Sequence, residues 1–372
     1  MTFDWPTLLP LVFMAVMGLA LLAYVVLDGY DLGVGLLLPF ASDEQKDVMV
    51  SSIGPFWDAN ETWLVLGIGV LLIAFPLAHG LVLSALYLPV AVMLIGLVLR
   101  GVSFDFRVKA RAARKEMWNR FFSLGSLMAA AAQGWMLGRY LTAFDRGLWP
   151  TLFSLMIAIT LPTAYAMLGA GWLIMKTEGE LQAKAVRWAR LVLWPMGATL
   201  VGISVATPLV SPNVFDKWFA MPQFLGLLPI PVACAAAFFA AWHVTSRQGV
   251  VQAGYGGVVF ASTVLIFVLS FLGLAYSIYP YIVIDRLTVW QAASAHESLV
   301  VIFVGVAITL PAIIVYTVFM YRVFWGKASA LSYGPGEYAT AGDGETGTST
   351  STGTGKGTGG GKGTDKALSS RA

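Results

Sequence analysis

The hydrophobic residues of this chain are gathered into long, nearly uninterrupted runs rather than into the stripes of amphipathic helices. A helix needs roughly 20 predominantly apolar residues to cross about 30 Å of hydrocarbon, where lipid offers backbone groups no partners. The runs predict nine transmembrane helices, near residues 8–38, 53–75, 79–104, 120–141, 151–175, 188–209, 222–245, 255–279 and 297–325. We therefore expect an all-α polytopic membrane protein, compatible with two four-helix bundles plus one peripheral helix.

The positions of Lys and Arg between these runs predict the orientation of the chain in the membrane. With the N-terminus outside, fourteen basic residues before position 328 fall in inner segments and four fall in outer segments. Because cytoplasmic loops carry the excess of positive charge, we expect a periplasmic N-terminus and a cytoplasmic C-terminus.

The chain changes character near its end, where Gly, Ser and Thr replace the apolar residues. Such a segment cannot bury enough apolar surface to offset the entropy lost on ordering. We therefore predict a transmembrane helical domain at 1–327 and a disordered cytoplasmic tail at 328–372.

Composition excludes several classes of protein. The chain is 58% hydrophobic and 12% charged, whereas soluble domains carry about 25% charged residues. A soluble enzyme, a secreted disulfide scaffold and a nucleic-acid binder are thereby excluded. The single cysteine, Cys234, allows neither an internal disulfide nor a thiolate metal cluster.

Ionisable residues within the predicted spans are the candidate functional residues, because charge is expensive inside a membrane. Two pairs have the i,i+3 spacing that places side chains on one helix face. A rise of about 1.5 Å per residue places these residues toward the cytoplasmic side. The residues, with Asp105 at the edge of its span, are Asp28, Asp31, Asp58, Glu61, Arg100 and Asp105.

Two interpretations of this predicted cluster remain open. A polar cluster that opens to one aqueous face suits proton uptake, with the five acids Asp28, Asp31, Asp58, Glu61 and Asp105 as a proton pathway. Alternatively, Arg100 pairs with Asp28 or Asp58 and serves only to hold three helices together. Trp57 and Trp63 flank the acids of the second span and suggest an aromatic-lined, packed site.

The histidines do not suggest a haem or metal site in this chain. His79, His243 and His296 all fall near the ends of predicted spans, and no two share a helix face. Ligands of a haem or of a non-haem metal project from mid-membrane positions into a helix bundle. We expect this chain to contribute no haem ligand, no metal site and no catalytic residue.

Seven sequence motifs resemble one known family. LDGYDLGVGLLLPF, IGPFWDANETWLVLGIG and LRGVSFDFR are similar, in order and spacing, to subunit II of cytochrome bd-type quinol oxidases. The supporting motifs are MKTEGELQAKA, IYPYIV, LTVWQAASAHESL and PAIIVYTVFMYRVFWGK. The similarity covers residues 1 to about 327. The NETWL form and the short outer loops resemble the cyanide-insensitive branch.

The resemblance implies a function for the complex. Subunit II would pair with a subunit I that carries two haems b and one haem d, in the bacterial cytoplasmic membrane. The complex would oxidise quinol and reduce dioxygen to water with protons from the cytoplasm. A small single-helix subunit and a structural quinone are further features of some members. By resemblance, Asp58, Asp28, Asp31 and Asp105 match the positions of a proton route.

Two alternatives to an oxidase subunit remain at this point. A proton-coupled secondary transporter would use the same carboxyl groups, although such proteins usually show broken helices and inverted repeats. A purely structural scaffold subunit would use every intramembrane charge for assembly.

Overall fold

The computed structural model describes residues 4–210 and 212–328, and these residues are almost entirely helical. Short connections join the helices, and a two-stranded antiparallel hairpin of β1 (Tyr281–Val283) and β2 (Leu287–Thr288) lies before the last two helices. The helices are α1 (Trp5–Leu37), α2 (Asp43–Ile53), α3 (Trp57–Ala74), α4 (Pro76–Lys109), α5 (Ala112–Leu141), α6 (Leu148–Lys176), α7 (Gly179–Val210), α8 (Pro212–Phe219), α9 (Gln223–Leu227), α10 (Pro229–Ser246), α11 (Gln248–Val250), α12 (Gly257–Ile278), α13 (Val289–Ala292) and α14 (His296–Val323).

Eight of the described segments are long and apolar enough to cross a membrane: α1, α3, α4, α6, α7, α9 with α10, α12 and α14. The prediction of an all-α polytopic membrane protein is therefore confirmed. The remaining predicted span, 120–141, lies within the 30-residue helix α5. Helix α5 is less apolar than the other eight, so its membrane crossing stays a prediction.

The helices form two groups of four that share a central contact. Helix α1 packs on α3 and α5, and α4 packs on α5; in the second group α6 packs on α7 and α12, and α10 packs on α12. Helix α6 joins the groups by packing on both α1 and α5. Helix α14 contributes Leu299 as its buried residue and lies at the periphery. These contacts agree with the two bundles and the peripheral helix expected from the sequence.

Glycines allow the closest of these helix contacts. A Cβ atom on Gly33 of α1 would lie 2.7 Å from the backbone nitrogen of Gly169 in α6. A Cβ atom on Gly125 of α5 would lie 2.9 Å from the backbone nitrogen of Arg100 in α4. Small residues at such crossings let two backbones approach, and the second crossing brings α5 against the segment that carries Arg100.

Several elements of the structure were not predicted. Helix α2 lies between the first two spans and begins with a capping box, in which Ser42 and Gln45 bond reciprocally to backbone groups. The β-hairpin and the short helices between the longer ones are also additions. Beyond Ala328, the predicted disordered tail lies outside the described residues.

Candidate functional site

A buried arginine joins three helices at the centre of the candidate site. The Arg100 guanidinium of α4 donates a hydrogen bond of 2.5 Å to the Asp28 carboxylate of α1. The same nitrogen also donates to Glu61 of α3. Arg100 and Asp28 are 1% and 0% exposed, whereas the Glu61 side chain is 27% exposed. The pairing therefore runs from the protein interior to the edge of the bundle.

Asp31 lies one helical turn beyond Asp28 and is fully buried. Its carboxylate accepts a hydrogen bond of 2.8 Å from the Asn60 amide of α3. The structure thus brings together Asp28, Asp31, Glu61 and Arg100, which we call the acid-rich cluster. It holds three carboxyl groups and one guanidinium.

A chain of hydrogen bonds starts one helical turn before Asp28 on α1. Gln133 of α5 donates to the Tyr24 hydroxyl at 2.9 Å, and Tyr165 of α6 donates to the Gln133 amide oxygen at 2.5 Å. These bonds join α1, α5 and α6 next to the turn of α1 that carries Asp28.

The last described helix reaches the same region at its end. The Tyr321 hydroxyl of α14 lies 2.5 Å from the Tyr30 hydroxyl of α1 and donates to the Asn60 amide oxygen at 3.2 Å. The Asn60 amide nitrogen in turn donates to the Tyr30 hydroxyl at 2.9 Å. Tyr30 and Tyr321 thus reach Asp31 through Asn60.

Some polar atoms of the acid-rich cluster have no hydrogen-bond partner among the described residues. These are one carboxyl oxygen each of Asp28 and Asp31 and the Nε and Nη1 nitrogens of Arg100. Buried polar groups are normally hydrogen-bonded, to water where protein offers no partner. The four atoms therefore mark the positions where the cluster is suited to bind water.

The predicted convergence of six charged residues holds for four of them. Asp58, in the first turn of α3, and Asp105, in the last turns of α4, both have exposed side chains outside the buried cluster. The predicted alternative pairing of Arg100 with Asp28 is observed. Glu61, and not Asp58, is the second partner of Arg100. The functional roles proposed for all these acids stay predictions.

The two tryptophans of the second span lie in different surroundings. Trp57 packs against Phe104, with ring centroids 5.0 Å apart, beside the acid-rich cluster. Trp63 is buried against Ala20 and Tyr24 of α1. Each of the two packs against a neighbouring helix, and the aromatic-lined site expected from the sequence stays a prediction. The sequence interpretation missed Tyr24, Tyr30, Asn60, Gln133, Tyr165 and Tyr321.

A second group of charged residues is separate from the acid-rich cluster. It joins α2 to the end of α4 and the start of α5. We call Lys46, Asp47, Arg107, Lys115 and Glu116 the α2 ion-pair cluster. Asp47 accepts from Arg107 at 2.5 Å and from Lys115 at 2.7 Å, and Lys46 donates to Glu116 at 2.8 Å. Burial acts to raise the pKa of Asp47, but the hydrogen bonds from Lys115 and Arg107 hold it below its usual value.

The described residues contain no group of three or more His, Cys, Asp or Glu side chains arranged to hold a metal ion. His79 lies in the first turn of α4, His243 lies near the end of α10 and His296 begins α14. The expectation that the chain ligates no haem is consistent with this arrangement and stays a prediction.

Two similar proteins of known function carry the same kind of name. The chain is 27% identical over 328 residues to cytochrome bd ubiquinol oxidase subunit 2 of Bacillus subtilis, covering 82% of this chain and 92% of that protein. It is 25% identical over 353 residues to cytochrome bd-I ubiquinol oxidase subunit 2 of Escherichia coli K12, covering 83% and 92%.

A solved structure shares the fold. A chain of the bd oxidase from Geobacillus thermodenitrificans matches with a TM-score of 0.70 at 17% identity, covering 85% of this chain and 98% of that one. The family model for cytochrome bd terminal oxidase subunit II matches residues 9–324. The chain therefore belongs to the cytochrome bd terminal oxidase subunit II family.

Proposed function

We propose that this chain conducts protons from the cytoplasm toward the oxygen-reduction site of a quinol oxidase. Its partner would be a subunit I that carries two haems b and one haem d, and the complex would lie in a bacterial cytoplasmic membrane. Quinol and dioxygen would be substrates of the complex rather than ligands of the acid-rich cluster. A small single-helix subunit and a structural quinone fit this proposal but have no assigned residues here.

The imbalance of charge in the acid-rich cluster is the observation that carries this proposal. The cluster holds three carboxyl groups and one guanidinium, which bonds to Asp28 and Glu61, and Asp28 and Asp31 are both fully buried. Ionising every acid would leave uncompensated negative charge in a poorly hydrated place, which is costly. Such a cluster favours holding at least one proton, and a group that holds a proton can pass it on.

The geometry supports an entry at the Glu61 side of the cluster. Glu61 is partly exposed, and the exposed acids Asp58 and Asp105 lie near the same ends of α3 and α4. Water beside the unpartnered oxygens of Asp28 and Asp31 would connect this edge with the buried acids. In this proposal Asp58 and Asp105 collect protons, and Glu61, Asp28 and Asp31 transfer them inward.

A structural role is the second candidate, and the Arg100 pairs favour it. Salt bridges from Arg100 to Asp28 and Glu61 connect α1, α3 and α4, as a scaffold would require. Asp31 has no direct bond to Arg100, and its one described side-chain donor is the neutral Asn60. Asp31 therefore separates the two candidate functions. No comparable observation favours a secondary transporter.

The test is Asp31→Asn in the complete complex, with Asp216→Asn as the matched control on the exposed surface of α8. We expect oxygen consumption to fall at least about tenfold, equivalent to about 1.4 kcal/mol. Haem content, read from the reduced-minus-oxidised optical spectrum, should remain that of the control. Asp58→Asn should lower consumption by a smaller factor. Loss of haem in proportion to activity would instead support the scaffold.

We also propose that the chain belongs to the cyanide-insensitive branch, from the NETWL motif at 60–64 and the short outer loops. Cyanide titration of oxygen consumption by the purified complex tests this assignment. Inhibition at the low cyanide concentrations that stop haem–copper oxidases would contradict it.

A further inference from the structure

Three side chains beside Asp31 form a closed ring of hydrogen bonds. Tyr321 donates to the Asn60 amide oxygen at 3.2 Å, and the Asn60 nitrogen donates to the Tyr30 hydroxyl at 2.9 Å. The two hydroxyls are 2.5 Å apart. Because Tyr321 has one proton and gives it to Asn60, Tyr30 must donate to Tyr321. Every member of the ring therefore donates once and accepts once.

Acceptors on α1 determine which end of the Asn60 amide faces Asp31. The Asn60 nitrogen donates to Tyr30, to the Asp31 carboxylate and, at 3.2 Å, to the backbone carbonyl oxygen of Leu27. A carbonyl oxygen and a carboxylate can only accept, so they keep the nitrogen on this side of the amide. Tyr321 supplies the donor for the amide oxygen on the other side, and without it Asn60 is held less firmly against Asp31.

Tyr321 is held in this ring by contacts at the end of α14. The Lys176 amine of α6 donates to the carbonyl oxygens of Phe324 at 2.8 Å and Gly326 at 3.1 Å. In the opposite direction, the Lys327 amine donates to the carbonyl oxygens of Met175 at 3.0 Å and Thr177 at 3.2 Å. We call these bonds the lysine clamp. It ties the end of a peripheral helix to the end of α6.

An aromatic contact also orients the Tyr321 ring. It stacks on Phe56, with centroids 4.6 Å apart and an interplanar angle of 25°. Phe56 itself meets the buried Trp172 of α6 edge-on. The hydroxyl of Tyr321 is therefore placed by packing as well as by the lysine clamp.

We propose that Tyr321 is a positioning residue for Asp31, which it controls through the Asn60 amide. This inference rests on the proposed proton-transfer role of Asp31. The donor from Asn60 stabilises the charged form of Asp31, so the ring sets how readily that carboxyl group releases a proton. The other titratable or charged groups that face Asp31 from the surrounding helices are Asp28, Tyr30, Glu61, Arg100 and Tyr321.

The first experiment compares Tyr321→Phe with Tyr316→Phe in the complete oxidase complex. Tyr316 lies on the same helix with an exposed side chain, so it controls for loss of a hydroxyl from α14. We expect Tyr321→Phe to lower oxygen consumption by about three- to tenfold, in keeping with the loss of a hydrogen bond. Its pH profile should move to higher pH, because the Asn60 donor is held less firmly against the charged form of Asp31. Haem content should match the control.

The second experiment adds Tyr321→Phe to Asn60→Leu. If Tyr321 acts through Asn60, the added substitution changes neither the rate nor the pH profile of the Asn60→Leu complex. Independent, additive effects would overturn the inference, and so would a Tyr321→Phe pH profile equal to that of Tyr316→Phe. A Tyr321→Phe complex that loses haem in proportion to activity would also overturn it.

Failure of this inference can be told apart from failure of the proposed function. Asp31→Asn with full oxygen consumption would refute the proton-transfer role and the inference together. A large loss in Asp31→Asn, with a normal rate and pH profile in Tyr321→Phe, would refute the positioning role alone.

Discussion

Helix α4 carries two buried arginines whose surroundings differ in charge. Arg100 and Arg107 are seven residues apart, which places them on one helix face at a separation of about 10.5 Å. Arg100 is the one cation of the acid-rich cluster, beside three carboxyl groups. Arg107 shares Asp47 with Lys115. When Asp43, which pairs with Lys46, and Arg120, which pairs with Glu116, are counted with the α2 ion-pair cluster, four cations face three acids.

The charge balance separates acids that are held ionised from acids for which we propose proton exchange. Neighbouring cations hold the pKa values of Asp47 and Glu116 below their usual values. For Glu116 the main cause is the hydrogen bond from Lys46. In the acid-rich cluster the acids outnumber the one cation, so binding a proton removes negative charge that no cation compensates. We therefore propose that Arg100 belongs to a proton site and Arg107 to a structural contact.

The largest expected effect comes from removing the cation of the acid-rich cluster. Arg100→Gln would leave buried carboxylates without their partner, and breaking a buried pair in this way costs about 3–5 kcal/mol. We expect a strong loss of assembled complex, measured as haem per protein after purification. Haem per protein close to that of the unaltered complex would show that the three acids do not depend on Arg100.

A paired substitution should recover part of this loss. Asp28→Asn combined with Arg100→Gln removes both charges of the buried pair, so the uncompensated carboxylate that Arg100→Gln leaves at position 28 is no longer present. We expect assembly to exceed that of Arg100→Gln alone. Equal yields of assembled complex from the single and double variants would mean that the unpaired Asp28 carboxylate is not the main cause of the loss.

Removing the other arginine should have a smaller effect. Arg107→Gln loses hydrogen bonds to Asp47 and Asn119, worth about 1 kcal/mol each. Lys115 remains beside Asp47, so no carboxylate is left without a cation. The thermal midpoint should fall modestly, while oxygen consumption per haem stays unchanged. A fall in turnover per haem would make the α2 ion-pair cluster part of the proton route.

The smallest effect should be the acid sensitivity of the α2 ion-pair cluster. The pKa of Asp47 is lower in the folded protein than its ordinary value near 3.9, so its stabilising contribution is complete above about pH 4. The contribution is lost as the pH falls through the lower folded value. Because Asp47 is half exposed, we expect about 0.2–1 kcal/mol.

The measurement is the thermal midpoint of the complex between pH 6 and pH 3. Asp47→Asn should show a shallower decline than the unaltered complex, because the variant has no carboxyl group to protonate there. Identical slopes would assign the acid sensitivity to other groups.

The spans and part of the site were predictable because the relevant signals are local. Apolar runs define the helices without knowledge of their neighbours. The glycines of the first span are a local signal of close helix contact. Helix α1 is continuous there, and Gly33 meets α6 closely. Helix α2 had a detectable signal in Ser42 and Gln45, which form its capping box.

The remainder of the site depends on helix rotation and on distant contacts. Asp105 is five residues from Arg100, about 140° around the helix, so it cannot share the buried face. Asp58 and Glu61 have favourable spacing, but their helix is rotated so that Glu61 meets Arg100 while Asp58 is exposed. Tyr321 reaches Asn60 across 261 positions of sequence. No local pattern could predict that contact.

The lysine clamp and the Tyr321 ring have a consequence for biogenesis. Ribosomes make the chain from the N-terminus, so the acids of α1 and α3 enter the membrane well before α14 is synthesised. Until then the Asn60 amide oxygen lacks the Tyr321 hydroxyl that donates to it. Residues 321–327 both close the ring and fasten the last described helix to α6. The environment of Asp31 is thus completed at a late step of insertion, after most of the membrane region has been made.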